Sequence, residues 1–149
     1  IFAKGVPNFC NKIKNKENMV ELPEIKAGFP SPAQDYSENI IDLNRELVKN
    51  PASTFFGRAK GESMLDAGIS DGDILIIDKS IEPYQDAVAV CFIDGEFTLK
   101  RVHFVKEDGQ LKEIWLMPQN KEFKPIVVTP DNTFLIWGIV TYSIKSHKR

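Results

Sequence analysis

From Thr54 onward the chain consists of short alternating or apolar runs broken by turn residues, a pattern that points to a mainly β body. The runs are Thr54 to Ala59, Ile74 to Asp78, Ala87 to Ile93, Glu96 to Val105, Leu111 to Met117, Ile126 to Val128 and Thr133 to Ile144. Asp94-Gly95, set between Cys91-Phe92-Ile93 and Glu96-Phe97-Thr98, is a two-residue hairpin signal, because such a turn needs positive φ at both central residues. Glu107-Asp108-Gly109 makes a second, looser turn. Hairpins that follow one another along the chain favour antiparallel pairing.

The stretch before this body has a different character. Residues 1–36 mix Lys, Asn, Gly and Pro, and Pro7, Pro23, Pro30 and Pro32 block regular helix, so this part is expected to be an extended N-terminal arm. Ser37 can cap one short helix from Glu38 to about Lys49. Ile40, Leu43 and Leu47, with Ile41 and Val48, form its apolar stripe, and Asn50-Pro51 ends it. That stripe should lie against the body. The expected division is an arm over 1–36 and a β-rich domain over 37–149.

Composition narrows the partners. A chain of 149 residues suffices for one domain, and a formal charge of -2 with a pI near 5.7 offers no basic excess for nucleic acid. Direct, specific DNA binding is therefore not expected, and the short basic tail of Lys145, Lys148 and Arg149 reads as solvated. No apolar run approaches the roughly 18 residues of a membrane span. The N-terminus, with Lys12, Lys14 and Lys16 after Cys10, lacks a signal peptide's apolar core, so a soluble, cytoplasmic protein is expected. Cys10 sits in a lysine-rich tail and Cys91 in the apolar run Val88 to Ile93, which argues against a disulfide between them and makes Cys91 buried filler. His103 and His147 do not make a metal site by themselves, and no Cys/His spacing matches a zinc ligand set.

Three features bear on chemistry: Gly61-Glu62-Ser63-Met64, a later lysine in an alternating strand, Lys100, and the small-residue pair Ala27-Gly28 upstream. Serine supplies an attacking oxygen, and a neutral lysine amine can take its proton without any histidine. Holding a lysine of ordinary pKa about 10.4 neutral at pH 7 costs about 4.6 kcal/mol. A dry setting must therefore depress it, and the flanking Phe97, Leu99 and Val102 would supply one. Period-two alternation puts Glu96, Thr98, Lys100 and Val102 on one face and Phe97, Leu99, Arg101 and His103 on the other. Taken one at a time, Ser63 reads rather as a turn serine, Lys100 as a solvated strand residue and Gly28 as a linker glycine.

The wording around these residues is more specific. Gly61-Glu62-Ser63-Met64, Gly68-Ile69-Ser70-Asp71-Gly72-Asp73, Asp94-Gly95-Glu96-Phe97-Thr98-Leu99-Lys100 and Ala27-Gly28-Phe29-Pro30-Ser31-Pro32 occur together in this chain, as does Ile41-Asp42-Leu43-Asn44. From about Ala27 to its end the chain resembles the LexA/UmuD family of self-cleaving Ser-Lys peptidases. Within the family, the UmuD branch has cysteine before the scissile glycine and aspartate before the serine. Ala27 and Glu62 stand there in this chain, and alanine before the glycine is closer to LexA.

The resemblance implies a peptidase body of antiparallel strands and hairpins, with Ser63 as nucleophile, Lys100 as general base and Ala27-Gly28 as the bond cut. Backbone N–H groups of Glu62 and Ser63 would hold the oxyanion, Phe29 would anchor in an apolar pocket, and no cofactor is required. It also implies an SOS-response role: cleavage stimulated by the RecA filament on single-stranded DNA, and a homodimeric product that assists an error-prone Y-family DNA polymerase in translesion synthesis. One alternative within the same peptidase class is the body of a LexA-like or phage transcriptional repressor, against which stand the roughly 26 residues before the cut, too few for a helix-turn-helix domain. Another is a protein-binding module with a vestigial Ser-Lys pair. A signal peptidase would need a membrane anchor.

Overall fold

The computed structural model describes residues 22, 24–28 and 40–148. The chain divides into two units, Ile1–Asp42 and Leu43–Arg149. In the first, the described residues include Ala27 and Gly28, which are exposed and form a bend. Most of the expected extended arm, with Cys10, Phe29 and the Ser37 cap, lies outside the described residues.

The second unit is built on one seven-stranded sheet: β1 (Thr54–Arg58), β2 (Ile74–Asp78), β3 (Ala87–Ile93), β4 (Glu96–Glu107), β5 (Gln110–Met117), β6 (Ile126–Val128) and β7 (Phe134–Ile144). Its strand order is β1-β2-β7-β3-β4-β5-β6, and every neighbouring pair is antiparallel. The fold is mainly β, as the alternating runs require. At the β3–β4 hairpin Asp94 and Gly95 have φ of 48° and 88°, so the turn twists with the strands it joins. The second turn is tighter than the sequence suggests. Strand β4 runs on to Glu107 and β5 begins at Gln110, leaving only Asp108 (φ 51°) and Gly109 (φ 76°) between them.

One expectation needs correcting. The helix spans only Leu43–Leu47, a single α-helix (α1) with no buried residue, and Ile40 is 97% exposed. A stripe is not enough where its apolar residues stay exposed, as Ile40 and Leu43 do, because a short helix does not offset its nucleation cost. Leu47 and Val48, at the far end, are half-buried.

Burial divides into two clusters. Ala87, Ala89, Cys91, Val102, Leu116 and Ile139 make one. Ala59, Met64, Ile69, Leu75 and Ile77 make the other, with Leu99 and Trp137 packed against it. Strand β7 serves both and is irregular where it does so: its pairing skips a residue opposite β3 between Val90 and Cys91, and another opposite β2 between Ile76 and Ile77. Such bulges bend a strand and increase its twist. Close packing of β2 and β7 also requires glycine at 138, where a Cβ would meet Ile77 Cγ2 at 2.6 Å.

Candidate functional site

Lys100 is placed by sheet register. It lies opposite Ala89, which is fully buried, and two residues before Val102, which is also fully buried. Alternation holds along this stretch, since Lys100 and Val102 are buried whereas Arg101 and His103 are half-buried. On their side of the strand, Arg101 Nη1 donates to Asp86 O (2.7 Å), and His103 Nδ1 pairs with Asp86 Oδ1 (2.9 Å). The dry surroundings of Lys100 do not come from Phe97, which is 62% exposed and stacks edge-on against Phe92 and Trp137. They come from Ala89, Cys91 and Val102, small enough for the lysine stem to lie among them.

Ser63 is placed by a loop, residues 59–73, whose two ends meet. Ala59 N donates to Asp73 O (2.8 Å) and Gly72 N to Ala59 O (2.8 Å). Gly61, at φ 90°, turns its N–H onto Asp71 Oδ1 (2.7 Å), a conformation that glycine adopts without strain. Met64, next to the serine, is 2% exposed and fixes the loop in the second core cluster. Its burial is worth about 1.5–3 kcal/mol.

The structure brings the two side chains into contact across 37 residues of chain: Lys100 Nζ donates to Ser63 Oγ at 3.0 Å. The same amine donates to Thr98 Oγ1 and to Leu99 O, each at 3.0 Å. No carboxylate among the described residues lies within ion-pair distance of it. Burial without a counter-charge holds the Lys100 pKa below the usual lysine value, opposed weakly by Cys91. Burial pushes the Cys91 thiol up to about 12, so it stays neutral. The contacts suit either state of the amine. The Leu99 carbonyl only accepts, so a neutral Lys100 can donate to Leu99 and Thr98 and turn its lone pair to the serine hydroxyl. Deprotonation then reverses one hydrogen bond and leaves the other two in place.

Around this contact lies a cavity of about 400 Å³, lined by Ser63, Met64, Thr98, Lys100, strand β1 from Phe56 to Arg58, and Trp137. Among the described residues no acceptor takes the Glu62 or Ser63 N–H. No group of three or more His, Cys, Asp or Glu among the described residues could hold a metal ion. No helix among them is long and apolar enough to cross a membrane. Ala27 and Gly28 belong to the first unit and are described there.

Three contributors escaped sequence reasoning. Thr98 was assigned to the right face but given no part; its hydroxyl holds the amine. Asp71 ties down Gly61. Beyond β5, Gln119 N donates to Ser63 O (2.7 Å), Asp66 N donates to Gln119 O (2.7 Å), and Asn120 Nδ2 donates to Glu62 O (2.8 Å). Period two was the signal for Thr98; nothing local to 118–120 says which loop it meets.

The chain is a mainly β protein, and the family it matches is of the serine peptidase type. The sequence pattern of the family described as Peptidase S24-like matches residues 18–141, and the chain belongs to that family. It is 40% identical over 127 residues to Protein MucA of Salmonella typhimurium, covering 85% of this chain and 83% of the relative. Protein ImpA of Shigella flexneri is 42% identical over 119 residues, 80% of this chain and 77% of its own. The LexA repressor of Clostridium kluyveri is 40% identical over 116 residues, 76% of this chain and 55% of the repressor. These likenesses agree with the family resemblance carried by the motifs.

Proposed function

We propose that the chain is a UmuD-like SOS mutagenesis protein that cuts itself between Ala27 and Gly28, with Ser63 as nucleophile and Lys100 as general base. The observation that carries this is the 3.0 Å contact between Lys100 Nζ and Ser63 Oγ, at a buried amine with no counter-charge among the described residues. Neutral Lys100 takes the Ser63 proton as Oγ attacks the Ala27 carbonyl carbon. The oxyanion is received by the N–H groups of Glu62 and Ser63. Lys100 then gives its proton to the Gly28 nitrogen, the peptide bond breaks, and water resolves the acyl ester on Ser63. No cofactor takes part. Residues 1–36 form the arm carrying the bond and 37–149 the body that cuts it.

A substrate within the same polypeptide has a high effective concentration, so cutting must be restrained. Two barriers serve: the arm seldom occupies the site, or Lys100 is mostly protonated. The RecA filament on single-stranded DNA lowers one of them. The product, residues 28–149, acts as a homodimer beside an error-prone Y-family polymerase in the cytoplasm.

The test is intact mass after incubation at pH near 7 and near 10, with and without RecA filaments, alongside Ser63→Ala. A species of residues 28–149 that appears at high pH or with filaments, and never in the serine variant, is expected. A wild-type chain that stays whole under all four conditions refutes the peptidase function and favours a binding module.

A further inference from the structure

We propose that Asn120 is a positioning residue for the Ser63 site: its carboxamide holds the Glu62 carbonyl so that the N–H of the same peptide unit, that of Ser63, faces the reaction cavity. This rests on the self-cleavage proposed above.

The geometry follows from the planar peptide. In a trans peptide the C=O and N–H of one unit point in opposite directions, so a partner that fixes the oxygen also aims the hydrogen. Asn120 Nδ2 donates to Glu62 O at 2.8 Å across 58 residues of chain. On the other side of that unit, the Ser63 N–H has no acceptor among the described residues. The next unit repeats the arrangement, with Ser63 O anchored by Gln119 N at 2.7 Å. Of these two anchors only Asn120 acts through its side chain, so it can be removed without altering the backbone.

The anchor is itself held. Leu116 is fully buried at the end of β5, Pro118 is buried, and Met117 pairs with Arg101, the residue after Lys100. The sheet therefore delivers 118–120 beside the lysine. Asn120 Oδ1 accepts from Glu122 N at 3.0 Å, which sets the flip of the amide and leaves Nδ2 for Glu62. A donor fixed in advance where negative charge develops costs no reorganisation during reaction, whereas a free carbonyl lets the peptide swing.

Two variants separate this from a plain turn-capping role. Asn120→Ala removes both bonds. Asn120→Asp keeps the acceptor for Glu122 N and loses the donor for Glu62 O. Self-cleavage is followed by intact mass across pH, without filaments, beside circular dichroism melts. Both variants are expected to show a plateau rate about 10- to 100-fold below wild type, less than the loss of an oxyanion donor outright. The Asn120→Ala variant should keep the wild-type pH midpoint, because Lys100 is untouched. An Asn120→Asp plateau within about twofold of wild type, or a midpoint displaced in Asn120→Ala, overturns the proposal, as does loss of the fold in both variants. A wild-type chain that never cuts removes the self-cleavage on which it rests. Cutting by the wild type with an undiminished Asp variant removes the role of Asn120 alone.

Discussion

The two side chains that meet at the site are held in opposite ways. Lys100 is an interior position of β4, paired with Ala89 in the middle of the seven-residue β3, and the residue after it, Arg101, opens the pairing with β5. Ser63 sits on a loop of mostly exposed residues, kept in shape by glycine turns, one buried methionine and contacts with residues 118–120. The difference is instructive: the sheet controls the proton affinity of Lys100 through burial, whereas the loop controls where Ser63 and its amides point. Damage to the first should appear as a shifted pH dependence, and damage to the second as a lowered rate at every pH.

The largest expected effect breaks the lysine side. Lys100→Met should reduce self-cleavage by at least about 10³-fold, as loss of one member of a catalytic unit does. Stability should move the other way. Because burial lowers the Lys100 pKa in the fold, the unfolded chain binds this proton more tightly. Wild-type stability is therefore reduced below the folded value and rises with pH until the unfolded value is passed. Methionine removes that penalty, so the variant should melt no lower than wild type at pH 7, and its margin should shrink as pH rises towards about 10 and be gone above it. A clearly lower melting temperature at pH 7 would mean that the ammonium's three hydrogen bonds outweigh its desolvation.

Next in size is a change to the sheet alone. Gly138→Ala would put a Cβ 2.6 Å from Ile77 Cγ2, and both strands carry core residues that cannot retreat cheaply. A loss of about 2 kcal/mol is expected from overpacking. Chemical denaturation should show it as a lower midpoint with an unchanged slope, and an unaltered midpoint would show that β2 and β7 can separate at little cost.

What was legible in the sequence follows the same division. Strands β2, β3 and β6 have the bounds that alternation and turn residues give them, because a half-buried strand and its turn are local patterns. Period two also put Thr98 and Lys100 on one face. The helix expected from Glu38 to about Lys49 is helical only over Leu43–Leu47 among the described residues, because a stripe shows what a helix would bury, not whether anything lies there to cover it. The meeting of Ser63 with Lys100 was carried by family motifs rather than by spacing. The clasp from 118–120 was not legible at all, since Pro118-Gln119-Asn120 reads as a loop and its partner is 58 residues away.

The smallest expected effect sharpens the loop side. Asp73, at the root of the serine loop, is 5% exposed and accepts from Lys145 Nζ at 2.7 Å and from Ser70 N at 2.9 Å. The Lys145 hydrogen bond is the main reason its pKa lies below the usual carboxylate range. A depressed folded pKa means stability that is present above the unfolded value and lost as pH falls through the folded one. Lys145→Met should therefore cost about 1 kcal/mol at pH 7, kept small because the lysine is 36% exposed, and the difference should vanish in acid once Asp73 is protonated in both proteins. Urea melts at pH 7 and at pH near 2 read both limits. A cost that persisted in acid would show that the lysine stem, not its charge, secures the loop, and the cutting rate would then be expected to fall with it at every pH.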